Sequence, residues 1–80
     1  MTDSLKDANK VVGLKQVKRA LKSSKAKKVY IARDAEKRLT SELVDYCEEW
    51  HIPIVYVESM KKLGHACGID INAAVAALII

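Results

Sequence analysis

The chain has 80 residues, half of them hydrophobic and 30% charged, which excludes a disordered tail and allows one small core. Its 14 Lys and Arg against 10 Asp and Glu leave a net charge of +4, which favours an anionic partner, nucleic acid before an acidic membrane surface. Two cysteines, in neither a CxxC nor a framework spacing, exclude a disulfide scaffold and suit a reducing cytoplasm.

Residues 1–10 are polar and lack the apolar segment of a signal peptide, and the longest apolar run, 73–80, is too short to span a bilayer. A short helix is expected over 3–9, a brief strand at Val11 and Val12, and a break at Gly13. The helix that follows, 14–23, has two unlike faces. Leu14, Val17 and Leu21 recur at i, i+3 and i+7 and seek a core. Lys15, Lys18, Arg19 and Lys22 form a second stripe at i, i+3, i+4 and i+7. Like charges at these spacings repel by a few tenths of a kcal/mol per pair, a loss that a bound anion removes. A solvated surface face is the other explanation, and the stripe alone leaves both open.

Ser23 to Ala26 read as a stop and a loop. Residues 28–32 are β-branched and aromatic, with apolar side chains at consecutive positions, the pattern of a strand buried on both faces. Asp34 is placed to cap the next helix, 36–51, whose apolar stripe is Leu39, Leu43, Tyr46, Cys47 and Trp50. Pro53 precedes a strand at 54–57. Ser59 suits the N-cap of a helix over 60–67, and Gly68 its left-handed stop. A loop at 69–72 leads to a wholly apolar strand, 73–80. Alternating helices and strands with short connections predict an α/β fold, a three-layer α/β/α sandwich. It has a four-stranded mixed sheet with helices on both faces, and residues 1–80 are a single domain.

The charge is unevenly distributed. Residues 10–28 hold eight cations and no acid, whereas Glu42, Asp45, Glu48 and Glu49 collect on the later helix. Cys47 and His51 stand at i, i+4, and His65-x-Cys67 would complete a tetrahedral zinc set. The missing CxxC knuckle and the packing-type surroundings of both thiols favour buried cysteines, so no metal or other cofactor is expected. No Ser/His/Asp set, Walker loop, GxGxxG or HExxH occurs, and an enzyme is not expected. Tyr30, Tyr46, Tyr56 and Trp50 fall at core-like positions, which argues against a flat sheet that stacks bases. Gly13 permits close backbone approach, and the free N–H groups of the turn after it add partial positive charge. Lys15 and Gln16 project from that turn, while Arg19 and Lys22 suit phosphates. Ile69 and Ile71 place two β-branched residues in one loop, either as inward anchors or as an apolar ledge for an unstacked base.

Val-Gly-Leu-Lys-Gln-Val-Lys-Arg-Ala-Leu (12–21), Val-Tyr-Ile-Ala-Arg-Asp-Ala (29–35), Cys-Glu-Glu (47–49), Ile-Pro-Ile-Val-Tyr-Val (52–57) and Ser-Met-Lys-Lys-Leu-Gly-His-Ala-Cys-Gly-Ile (59–69) together resemble the kink-turn RNA-binding ribosomal-protein family. That family includes archaeal and eukaryotic large-subunit proteins, box C/D and H/ACA core proteins, and a short stand-alone bacterial ribosomal-protein-like branch. The resemblance covers about residues 4–80. It implies an RNA-binding protein whose basic helix start docks at tandem sheared G·A pairs in a sharply bent RNA. By position, Gly13, Lys15, Gln16 and Arg19 would take that role, with Lys18 and Lys22 near phosphates. Glu36 matches a contact to a flipped-out nucleotide, the 69–71 loop (Ile69, Asp70, Ile71) an apolar cover over the bulge, and Lys61 a further contact. The commoner family pattern has Asn and Glu at positions 15 and 16, and the stand-alone bacterial branch shares Lys-Gln. Lysine has no acceptor, so Lys15 can contact guanine O6 and N7 but cannot accept from an amino edge, while Gln16 keeps an acceptor.

The implied partner is structured RNA with a kink-turn: rRNA, a riboswitch or another non-coding RNA. Ribosomal proteins are a second class of partner, and a cytoplasmic monomer without membrane association is expected. The alternative is a protein-interaction module of a ribonucleoprotein assembly, without kink-turn specificity, that works through the acidic helix.

Overall fold

The computed structural model describes residues 9–69 and 71–80, and its elements run β1 (Lys10–Val12), α1 (Leu14–Lys22), β2 (Ala26–Ala32), α2 (Lys37–Glu49), β3 (Ile54–Val57), α3 (Met60–Ala66) and β4 (Val75–Ile79). The helix expected over 3–9 lies outside the described residues except for Asn9, which precedes β1. β3 has the bounds read from the sequence. β2 begins two residues earlier than expected, and β4 is trimmed at both ends.

The strands form one mixed sheet in the order β1-β4-β2-β3. β4 runs antiparallel to both β1 and β2, and β2 runs parallel to β3. β2 and β4 are central and carry apolar residues without alternation because both of their faces are covered. Val29 and Ile31 of β2 join Val75 and Ala77 of β4 in one core, under Val17, Ala20 and Leu21 of α1 and Leu43 and Cys47 of α2. Tyr30, Ala32 and Ala76 point the other way and pack with Leu63 of α3 and with Cys67, its C-cap. The three-layer sandwich with helices on both faces is therefore present. The two thiols lie on opposite faces of the sheet, and His51 and His65 are exposed, so the four residues of the zinc pattern do not converge.

Three expectations about side chains are corrected. Asp34 does not cap its own helix, because Glu36 holds the N-cap position of α2. Instead the Asp34 carboxylate accepts the backbone N–H of Met60 at 2.8 Å and caps the first turn of α3 from 26 residues away. The Ser59 hydroxyl caps the same turn by accepting from Lys62 N–H at 3.1 Å. The apolar stripe of α2 is wider than the surface that covers it. Thr40, Leu43 and Cys47 form the buried line, whereas Leu39 and Trp50 on the flank are 43% and 40% exposed. Trp50 stacks on the half-buried Tyr46 with ring centroids 5.0 Å apart. Tyr56, on the edge strand β3, is also exposed and lies beneath the Arg33 guanidinium, 5.4 Å from the ring centre.

Each helix ends in a Schellman arrangement, but only one uses glycine. Gly68 (φ 80°) closes α3, with Gly68 N–H donating to His65 O and Ile69 N–H to Gly64 O. At the corresponding positions after α1 and α2 stand Ser24 (φ 59°) and His51 (φ 57°), held in the left-handed region at a steric cost.

Candidate nucleic-acid interface

The first turn of α1 meets the loop before β4 at one end of the sheet. Gly13 adopts φ 106° and ψ 151°, and its N–H donates to the Val75 carbonyl at 3.0 Å. A β-carbon at Gly13 would be strained by this φ and would lie 3.0 Å from Gln16 Oε1. Further bonds carry the lattice across the same end: Ala32 N–H to Ala74 O at 2.9 Å, Ala73 N–H to Met60 O at 3.0 Å, and then the Asp34 cap on Met60. The start of α1, the exit of β2, the start of α3 and the loop before β4 are thus fixed relative to one another by main-chain bonds.

On that frame Lys15, Gln16, Arg19 and Lys22 are exposed, opposite the buried line of Val17, Ala20 and Leu21. The α1 N-cap is Gly13, which has no side chain to satisfy the first-turn N–H groups, and no acid occupies that turn. Lys15, Arg19 and Lys22 carry no ion pair among the described residues. Lys18 differs. It lies toward α2, and its ammonium binds the Glu42 carboxylate at 2.7 Å. That hydrogen bond holds the Lys18 pKa above its ordinary value. Sequence spacing grouped Lys18 with the stripe, but its partner on another helix was not visible locally.

Glu36, at the N-cap of α2, is exposed and accepts from Arg38 Nε at 2.9 Å. Lys61 is exposed in the first turn of α3. Ile69 packs at the margin of the core under α3, while Ile71 is 71% exposed. Of the two apolar loop residues, Ile69 is thus an inward anchor, and Ile71 is left facing outward. Asp70 lies outside the described residues.

Gly64 has a role that the sequence reading missed. A β-carbon there would sit 1.9 Å from the Ile71 carbonyl oxygen. The loop main chain rests on the bare α-carbon, and this contact sets the position of Ile71 relative to α3. A glycine inside a helical pattern is the available signal for such an approach.

Among the described residues no helix is long and apolar enough to cross a membrane. A profile of the ribosomal protein L7Ae/L30e/S12e/Gadd45 family matches residues 2–80. RNA-binding protein TTE2299 of Caldanaerobacter subterraneus subsp. tengcongensis is 48% identical over 71 residues, which span 89% of this chain and 87% of that protein. RNA-binding protein YbxF of Geobacillus stearothermophilus is 41% identical over 69 residues, 86% of this chain and 84% of its own. A solved structure of a protein of unknown function from Bacillus halodurans C superposes with a TM-score of 0.87 at 25% identity, covering 96% of this chain and 81% of that one. The 15.5kD RNA binding protein of Giardia lamblia superposes with a TM-score of 0.85 at 28% identity, covering 99% of this chain and 65% of its own. With a profile match over almost the whole sequence and relatives at nearly half identity, the chain belongs to the ribosomal protein L7Ae/L30e/S12e/Gadd45 family.

Proposed function

We propose that this chain, acting as one domain over residues 1–80, binds RNA and captures the bent form of a kink-turn. The observation that carries the reading is the start of α1. Its uncapped first-turn N–H groups, the exposed Lys15, Gln16 and Arg19, and the exposed Ile71 share one end of a hydrogen-bonded frame. Relatives named RNA-binding proteins at 41–48% identity support the nucleic-acid class of ligand.

In this reading Gly13 lets the RNA approach the helix start closely. Lys15 and Gln16 meet base edges of the tandem G·A pairs, and Arg19 donates to a guanine edge or bidentately to a phosphate. Lys22 and Lys61 lie against phosphates, and Glu36 contacts the flipped-out nucleotide. Ile69 fixes the loop whose Ile71 covers that base, with Asp70 between them. Lys18 supports the site from a distance, since Glu42 already neutralises its charge. A protein complementary only to the kinked RNA shifts the population toward that form, by no more than its difference in affinity for the two states.

A gel shift tests this with a kink-turn RNA and a control in which Watson–Crick pairs replace the G·A pairs. The kink-turn RNA is expected to bind about tenfold or more tightly than the control, since each lost base-edge contact removes about 1–3 kcal/mol. Equal binding to both would leave only a basic patch with general affinity for RNA. No binding to either, together with loss of a protein contact on charge reversal of Glu42, Asp45, Glu48 and Glu49, would favour the protein-interaction module.

A further inference from the structure

α1 has a second flank that the recognition just described touches only at Gln16 and Arg19. Gln16, Arg19, Ala20 and Ser23 recur at i, i+3, i+4 and i+7 and form one wall of a groove of about 220 Å3, with Val11, Lys25 and Ile79 opposite. The floor is apolar: Val11, Ala20 and Ile79. The rim carries an amide, a hydroxyl, a guanidinium and an ammonium, with no carboxylate among the described residues that line it. The Ser23 hydroxyl is committed to the carbonyls of Arg19 (2.9 Å) and Ala20 (3.3 Å), which leaves the two cations and the Gln16 amide as the groove's donors. Arg19 and Lys25 are exposed and carry no ion pair among the described residues. Lys25 is also fixed in place. Its N–H donates to Ala20 O at 2.9 Å, and its carbonyl accepts from Ile80 N–H at 2.9 Å.

Two cations over an apolar floor select among anions. Inorganic phosphate would satisfy the rim and leave the floor wet, whereas an apolar chain would satisfy the floor and leave the cations idle. A nucleotide offers a flat base for the floor and a phosphate for the rim. We propose that this groove binds one unpaired nucleotide, with its phosphate between Arg19 and Lys25 and its base against Val11, Ala20 and Ile79. That the nucleotide comes from RNA rests on the function proposed above. Arg19 then stands at the border of both sites, so that a strand leaving the helix start passes directly into the groove.

The test titrates the 15N-labelled full chain with adenosine 5′-monophosphate and, in parallel, with adenosine and with inorganic phosphate. Saturable shifts with the nucleotide are expected at the amides of Val11, Arg19, Ser23, Lys25 and Ile79. Either fragment alone should bind several-fold more weakly. Lys25→Ala should weaken nucleotide binding by about tenfold, the scale of one charge-assisted hydrogen bond, in a chain whose remaining amide spectrum is unchanged. The proposal is overturned by no saturable shift at these amides, by phosphate or adenosine matching the nucleotide, or by an unaltered response in Lys25→Ala. A mononucleotide cannot form a kink-turn, so this result and the gel-shift result fail independently.

Discussion

Replacing Gly64 with alanine sets local helix preference against tertiary packing. In a solvated helix interior the change stabilises by about 0.8–1 kcal/mol, because alanine loses less backbone entropy. Gly64 is buried, and the added methyl would meet the Ile71 carbonyl oxygen at 1.9 Å and its carbon at 3.0 Å. The shortest ordinary C···O approach is about 3.3 Å, so helix and loop must separate by roughly 1.4 Å. The obstructing atoms are main chain and cannot swing aside as a side chain would. They also adjoin the bond from Ala73 N–H to Met60 O, which the displacement would stretch. Overpacking costs about 1–3 kcal/mol, and a main-chain contact this short falls at the upper end, about 2–3 kcal/mol, so after the helix gain a net loss of about 1–2 kcal/mol is expected. In a domain of this size that lowers the melting temperature by roughly 4–16 °C. Urea denaturation followed by far-ultraviolet circular dichroism measures it. A second reading is the affinity of the still-folded fraction for kink-turn RNA, which should also fall because Ile71 moves with its loop. A midpoint equal to or above that of the parent chain, at the same m-value, refutes the packing account of Gly64.

Arg19→Ala should weaken kink-turn binding by about 1–3 kcal/mol if Arg19 reads a base edge. Lys18→Ala should weaken it by less than about 0.5 kcal/mol, since Glu42 already engages that ammonium; equal effects in isothermal titration would contradict this division of roles. Ser24→Gly and His51→Gly should each stabilise the fold by roughly 0.5–1 kcal/mol, because glycine enters the left-handed region without the side-chain clash and returns part of that gain as unfolded-state entropy. Denaturation midpoints that fall in both variants would exclude this relief of strain. Burial pushes the Cys47 thiol up to about 11, and Cys67 and Tyr30 in the same direction. Above about pH 9 the unfolded Cys47 releases its proton while the folded one keeps it, so stability present below pH 9 is lost as the pH rises toward 11. Cys47→Ala should flatten that limb of the pH–stability curve, and an unchanged slope would exclude Cys47 as its source.

Local patterns and tertiary arrangement were legible to very different degrees. β3 follows a proline and carries four β-formers in a row, and α3 is bracketed by Ser59 and Gly68, so both are specified by neighbours in sequence. Exposure is decided elsewhere. Leu39 and Trp50 keep helical period with Leu43, but whether that flank is covered depends on where α1 lies. Asp34 has the residue type and position of a cap for α2, yet its acceptor oxygen reaches the first N–H of α3, a choice that exists only once the sheet has formed. The same holds within the candidate interface. The periodicity of α1 marked Lys15, Arg19 and Lys22 as an outward stripe, while the diversion of Lys18 required Glu42 on a second helix. Lys25 reads as a loop residue with no local pattern to mark it, and the groove it borders is made with Val11 and Ile79, which are far apart in sequence.

The placement of β4 has a consequence for the order of assembly. It follows β1 and β2 in the sequence and yet lies between them, so it pairs with residues far back along the chain. A growing polypeptide that has not yet reached Val75 has no strand to bridge β1 and β2, and the loop entropy of that long-range closure is met only once β4 is made. Gly13 finds the carbonyl that anchors it at the same moment. The candidate interface at the start of α1 is therefore complete only after β4 pairs, and a nascent or truncated chain that lacks β4 carries the basic helix without the frame on which the proposed selectivity rests.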